Sequence, residues 1–129
     1  ELDFIELNMN LPQYNTENLL KIDFHLFDKE GIDFTIHLPE DMDLAAFEPY
    51  VRNTYVNLLK RVIMIMPDNF NKLNMHLHQG VYFTLPEQKV YLYKEYKKQF
   101  QENLYNSFQD ILIPARERGI DICIENTGD

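Results

Sequence analysis

At 129 residues, 45% of them hydrophobic and 13% aromatic, the chain carries enough apolar material for the core of one domain, and a disordered chain is not expected. A formal charge of −9 disfavours nucleic acid as a partner, since phosphate-backbone binding needs clustered Lys and Arg to displace counterions. The single cysteine, Cys123, rules out an internal disulfide framework and suits a reducing compartment, and the longest apolar run, Val62 to Met66, is far too short for a bilayer. A cytoplasmic protein without a membrane span is expected.

The first predicted strand, Leu2 to Met9, sets Ile5 and Leu7 on one face and Phe4, Glu6 and Asn8 on the other. Asn15 or Thr16 can cap a helix over roughly residues 17–29, with Gly31 just past its end, where a left-handed residue is common. Asp33 to Leu38 alternates again, with Phe34, Ile36 and Leu38 opposite Asp33, Thr35 and His37, and Pro39 ends it. Between Pro49 and Met66, the residues Val51, Tyr55, Leu58, Leu59, Val62, Ile63 and Met66 recur at three- and four-residue intervals, the stripe of an amphipathic helix.

Leu73 to His78 forms the next predicted strand, with Leu73, Met75 and Leu77 against Asn74, His76 and His78; Gln79 to Pro86 reads as a loop. A long helix is predicted from about Glu87 to Arg118, its core stripe running through Tyr93, Tyr96, Phe100, Leu104, Phe108, Ile111 and Ala115. Pro114 should kink it near its end, and Gly119 stops it. Lys89, Lys94, Lys97 and Lys98 interleave with Glu87, Glu95 and Glu102, which describes a solvated, ion-paired face. The last strand sends Ile120, Ile122 and Ile124 to one side and Asp121, Cys123 and Glu125 to the other.

Strands separated by helices imply parallel pairing through right-handed crossovers. An open sheet covered on both faces would have near-continuous apolar strands, whereas these have one aliphatic face and one polar face. That asymmetry fits a barrel, with helices outside and chemistry where the strand C-termini meet. A whole barrel needs roughly 250 residues, so the chain is expected to be about half of one. Its outer strands would be open edges that pair with a second copy in a homo-oligomer or aggregate.

The polar strand ends offer His37, His76 and Glu125, with His78 and Glu6 nearby. Imidazole and carboxylate converging from adjacent strands suit a divalent ion such as zinc, manganese or magnesium, or else form a hydrogen-bonded polar mouth.

The segments Thr35-Ile36-His37-Leu38-Pro39, Leu73-Asn74-Met75-His76 and Ile124-Glu125-Asn126-Thr127-Gly128 resemble the xylose-isomerase-like TIM-barrel superfamily, which includes sugar-phosphate isomerases and epimerases and the endonuclease IV repair enzymes. The resemblance implies a parallel (β/α)8 TIM barrel, α/β in class, of which residues 1–129 form a partial domain corresponding to strands two to five. It implies that Glu125 is the metal-ligating glutamate of strand five, and that His76 and His37 match histidines that are ligands in the endonuclease branch. Other ligands would lie beyond Asp129.

Where that branch resembles His-Pro-Gly, this chain reads His76-Leu77-His78-Gln79-Gly80, and the segment Gly80 to Pro86 is more similar to isomerase-type members. The expected activity is therefore a metal-dependent sugar or sugar-phosphate isomerase or epimerase. Glu6 or His76 would move the proton, and His78, Tyr82 and Phe83 would contact the sugar. The alternatives are a zinc-dependent abasic-site endonuclease and a non-catalytic barrel module. The half-barrel by itself is expected to be inactive.

Overall fold

A computed structural model describes residues 3–77 and 82–125, apart from the side chains of residues 28, 29 and 83. In chain order its elements are β1 (Phe4–Asn8), α1 (Thr16–Leu19), β2 (Asp33–His37), α2 (Pro49–Ile65), β3 (Phe70–His76), β4 (Tyr82–Leu85), β5 (Gln88–Tyr91), α3 (Leu92–Glu95), α4 (Lys97–Glu117) and β6 (Asp121–Glu125). Four strands form a parallel sheet in the order β1-β2-β3-β6, and β4 and β5 pair separately as an antiparallel hairpin. The expected alternation of parallel strands and helices is thus present.

The sheet's aliphatic face and the helices make the core. Leu7, Phe34, Ile36, Leu38, Leu73 and Met75 from the strands are buried with Val56, Leu59, Val62 and Ile63 of α2 and Ile111 and Ala115 of α4. Phe24, Phe34 and Phe70 pack within 4.9–5.2 Å of one another, closing one end of this layer. On α2 the buried stripe includes Val56, while the expected Val51 is exposed beside the helix start. Pro49 sits in the first turn, where its missing donor costs nothing, and the Glu48 carboxylate caps that turn by accepting from the Tyr50 amide at 3.1 Å.

The helix expected over residues 17–29 is replaced by α1 and a 3-10 helix over Phe24–Glu30. Asn15 caps α1 as its type suggests, accepting from the Asn18 amide at 2.9 Å. Leu19 and Phe24 are both buried in the same core. Five residues apart, they would point about 140° away from each other on a continuous α-helix. Breaking the helix between them lets both face inward.

The expected loop before Pro86 and the first turn of the expected long helix are instead the β4–β5 hairpin, with cross-strand pairs Tyr82 with Tyr91 and Leu85 with Gln88. Its turn, Pro86-Glu87, puts Glu87 at φ 72°, a conformation usually signalled by Gly or Asn. The long helix therefore starts only at Lys97, after α3.

Of the core stripe expected on the long helix, Ile111 and Ala115 are buried and Leu104 and Phe108 pack partly buried against the core, whereas Tyr96 is not part of it. Tyr96, at the N-cap of α4, is exposed, and the fully buried positions of the helix are Asn103, Ser107, Ile111 and Ala115, spaced four apart. Asn103 Nδ2 donates to the carbonyls of Ala45 and Ala46 at 3.3 and 3.4 Å, and Ser107 Oγ donates to that of Leu44 at 2.7 Å. Small polar side chains here satisfy the backbone of the segment that follows β2, which large aromatics would hold away. The helix continues through Pro114 to Glu117 and ends on Gly119 at φ 64°, with Ile120 N–H bonded to Ala115 O and Gly119 N–H to Arg116 O. This is the Schellman arrangement, and it turns the chain directly into β6.

Arg118, at the end of α4, reaches across to donate to the carbonyls of Met64 and Met66 at 2.7 and 2.6 Å. Those carbonyls close α2, so one guanidinium supplies partners for the open end of a neighbouring helix. Arg118→Ala should lower stability by about 1–3 kcal/mol, read as the shift in the urea midpoint at unchanged slope.

Candidate metal centre

The register of the parallel sheet brings three residues together. Asn8 is opposite His37, His37 opposite Asn74, and His76 opposite Glu125, so β2, β3 and β6 each end with a potential ligand on the same polar face. His37 Nε2 is 3.4 Å from Glu125 Oε1, and His76 Nε2 is 3.3 Å from Glu125 Oε2. The two imidazole centroids are 5.1 Å apart, and one ligand atom from each of the three residues lies within 4.8 Å of the others. The group grades outward from His37, with 7% of its side chain exposed, through His76 at 24% to Glu125 at 45%. A buried base and an open carboxylate define a rim.

The chemistry of the donor set can be tested against an ion. His37 Nδ1 lies 2.8 Å from the carbonyl of Leu38, an oxygen that only accepts, so Nδ1 carries the proton. In the neutral ring Nε2 then presents a lone pair to Glu125 Oε1. Acceptor faces acceptor across 3.4 Å, a contact that needs a cation or a proton between them. Two ligand atoms about 2.1 Å from one tetrahedrally held ion stand about 3.4 Å apart, and each imidazole nitrogen is about that far from the carboxylate oxygen it faces, a different oxygen in each pair. The backbone carbonyl on the far nitrogen is the usual partner that orients a metal-bound histidine. The residues fit a divalent ion.

Glu6 lies one same-face step deeper. Its Oε2 accepts from Thr35 Oγ1 at 3.3 Å and from Asn74 Nδ2. Thr35 and Asn74 are each two residues before a cluster histidine, His37 and His76 respectively. Neither was singled out by sequence reasoning, which saw polar spacers rather than partners of Glu6. The polar face at this level opens into a concavity of about 410 Å³ lined in part by Asp33, Thr35, Lys72, Asn74 and Cys123. Thr35 and His37 are 6% exposed, so the polar face is itself largely covered at β2, where Glu6, His76 and Glu125 crowd over it.

Tyr82 stands on β4, half-exposed, with its ring 5.8 Å from Tyr91 and the Lys89 ammonium 4.8 Å from its centroid. The other two residues expected to meet a sugar, His78 and the side chain of Phe83, lie outside the described residues. A second, more apolar cavity of about 360 Å³ sits between the segment after β2 and α2, with Phe47, Val51 and Tyr55 among its walls. Burial, and then Asp41 and Asp43, push the Tyr55 hydroxyl above its ordinary value. This cavity holds none of the three cluster residues.

No protein-family model matches the sequence, and comparison with curated proteins gives no match. Solved structures do match. A D-tagatose 3-epimerase-like protein superposes with a TM-score of 0.75 at 20% identity, over 100% of this chain and 46% of that one. D-psicose 3-epimerase crystallised with D-fructose gives 0.64 at 18% identity, over 95% and 41%. A protein assigned as a sugar phosphate isomerase/epimerase from Anabaena variabilis ATCC 29413 gives 0.69 at 16%, over 98% and 43%.

The fold is therefore that of an α/β parallel TIM barrel, of which the chain's four parallel strands form an arc. That is the fold which the resemblance at the strand ends led one to expect. The chain spans less than half the length of these structures. Among the described residues no helix is long and apolar enough to cross a membrane.

Proposed function

We propose that the protein is a metal-dependent sugar or sugar-phosphate isomerase or epimerase, cytoplasmic, with residues 1–129 contributing part of one barrel domain and His37, His76 and Glu125 holding the ion. The observation that carries this reading is the meeting of two Nε2 atoms on one carboxylate at 3.3–3.4 Å, at the strand ends where barrels of this class build their sites. A bound divalent ion, whether zinc, manganese or magnesium, would supply Lewis-acid polarisation of neighbouring substrate oxygens.

The chain's own contribution divides by position. His37, buried and fixed through Leu38, is the rigid ligand; Glu125, the most exposed of the three, faces the substrate side. His76 can serve as a ligand or as the base that moves the proton on the α-carbon, but its Nε2 cannot do both at once. By residue type alone Glu6 is a second candidate for proton transfer, although its Oε2 already accepts from Thr35 and Asn74. Tyr82, with Phe83 and His78 from the same stretch, would cover the apolar face of the sugar. Further ligands would come from strands other than these four.

A second reading, a zinc-dependent abasic-site endonuclease, is favoured by one feature: both histidines join the cluster, and imidazole-rich donor sets suit zinc. The charge of −9 weighs against it. Assaying the full-length protein, metal-loaded, on ketoses, sugar phosphates and abasic-site DNA separates the two. Interconversion of a ketose or sugar phosphate supports the isomerase reading; cleavage of the DNA alone replaces it with the nuclease.

A further inference from the structure

Glu6 Oε2 is shared by Thr35 on β2 and Asn74 on β3. β1 and β3 are not neighbours in the sheet, so this carboxylate reaches across β2 along the polar face. Glu6 and Thr35 are paired one same-face step beneath His37, while Asn74 is paired with His37 and stands one same-face step before His76. The three side chains therefore join three strands through one oxygen next to the two imidazoles, whose centroids are 5.1 Å apart. The β2–β3 register shifts once, between Phe34 and Thr35, and is regular from Thr35 to His37, so the network's Thr35 is the first residue after the irregularity.

We propose that Glu6, Thr35 and Asn74 form a positioning network that sets the spacing of His37 and His76, and that Glu6 acts through these partners instead of on substrate. The proposal rests on the metal-centre reading for its functional consequence, but its structural content does not. An oxygen that accepts from two donors on two strands is already engaged, which suits a strut. A general base would need that carboxylate within hydrogen-bond reach of the substrate proton, one layer above the atoms that bind it.

The test compares Glu6→Ala, Glu6→Gln and Asn74→Ala in the full-length protein. In the metal-free protein at one fixed pH, the ring resonances of His37 and His76 should move in Glu6→Ala and Asn74→Ala and stay in place in Glu6→Gln, whose amide oxygen still accepts from both donors. Zinc or manganese affinity, measured by chelator competition, should fall about tenfold in the two alanine variants, as for other partners that orient ligands, and only about twofold in Glu6→Gln. The Glu6→Ala and Asn74→Ala losses should combine to less than their sum in the double variant, since both break one contact.

Two results would overturn the network. One is ring resonances unmoved by Glu6→Ala. The other is a Glu6→Gln variant that loses turnover about a hundredfold or more while binding metal normally, the signature of a lost general base. A wild-type protein that takes up no metal would refute the metal centre without touching the resonance test, so the two failures are distinguishable.

Discussion

Glu125→Ala in the full-length protein should lower divalent-metal affinity by on the order of a hundredfold or more and remove turnover with it. The size follows from the geometry. Glu125 is the one carboxylate of the three cluster residues and turns one oxygen towards each imidazole, so its loss leaves two rings as the cluster's remaining donors. Replacing a partner that merely orients a ligand costs about 10–100-fold; removing the shared, charged ligand should cost at least the upper end. Because the carboxylate is nearly half exposed at the end of β6, the substitution should leave the fold intact, and its thermal midpoint without metal should match wild type. Metal content unchanged in this variant would refute the assignment.

Leu73→Ala and Asn74→Ala, adjacent in sequence, should behave as opposites. Leu73 is 0% exposed on the helix-facing side of β3, among the core residues of the sheet and helices. Removing its branched end leaves a cavity and should cost about 3 kcal/mol. Asn74 points to the polar concavity and donates to Glu6, so its truncation should cost below about 1 kcal/mol while altering the site above it. Urea unfolding of the two variants reads the contrast directly. Equal losses would mean that the two faces of β3 are not the core face and the site face.

The alternation in the four parallel strands was legible because a period of two assigns every side chain to a face without reference to anything distant. It separated Ile36 from His37, Met75 from His76 and Ile124 from Glu125, and the parallel register then carried the three polar residues to one end. The convergence of His37, His76 and Glu125 followed from counting alone, because each closes its own strand. What counting could not reach was contact across a strand. The Glu6–Asn74 pair skips β2 and depends on the register of two strand pairings at once.

Elements decided by burial from elsewhere were equally hidden. Glu87 takes a left-handed turn conformation although neither Gly nor Asn marks it, so the hairpin read as loop and helix. Asn103 and Ser107 lie off the hydrophobic stripe that the spacing picked out, yet they are buried, donating to the carbonyls of Leu44, Ala45 and Ala46. Tyr96, which the spacing placed in the core stripe, stands outside it. In each case the residue type signals what the site could satisfy, but only the packing partner tells whether it is called upon.

The single-ion reading of the cluster is tested most directly by titrating the chelator-treated full-length protein with zinc and with manganese while following the ring resonances of His37 and His76. One equivalent of ion should bind, and both histidines should respond together, broadening with manganese and shifting with zinc, with the response lost in Glu125→Ala. Binding that leaves either ring unmoved, or no uptake at all, would contradict the proposed metal centre.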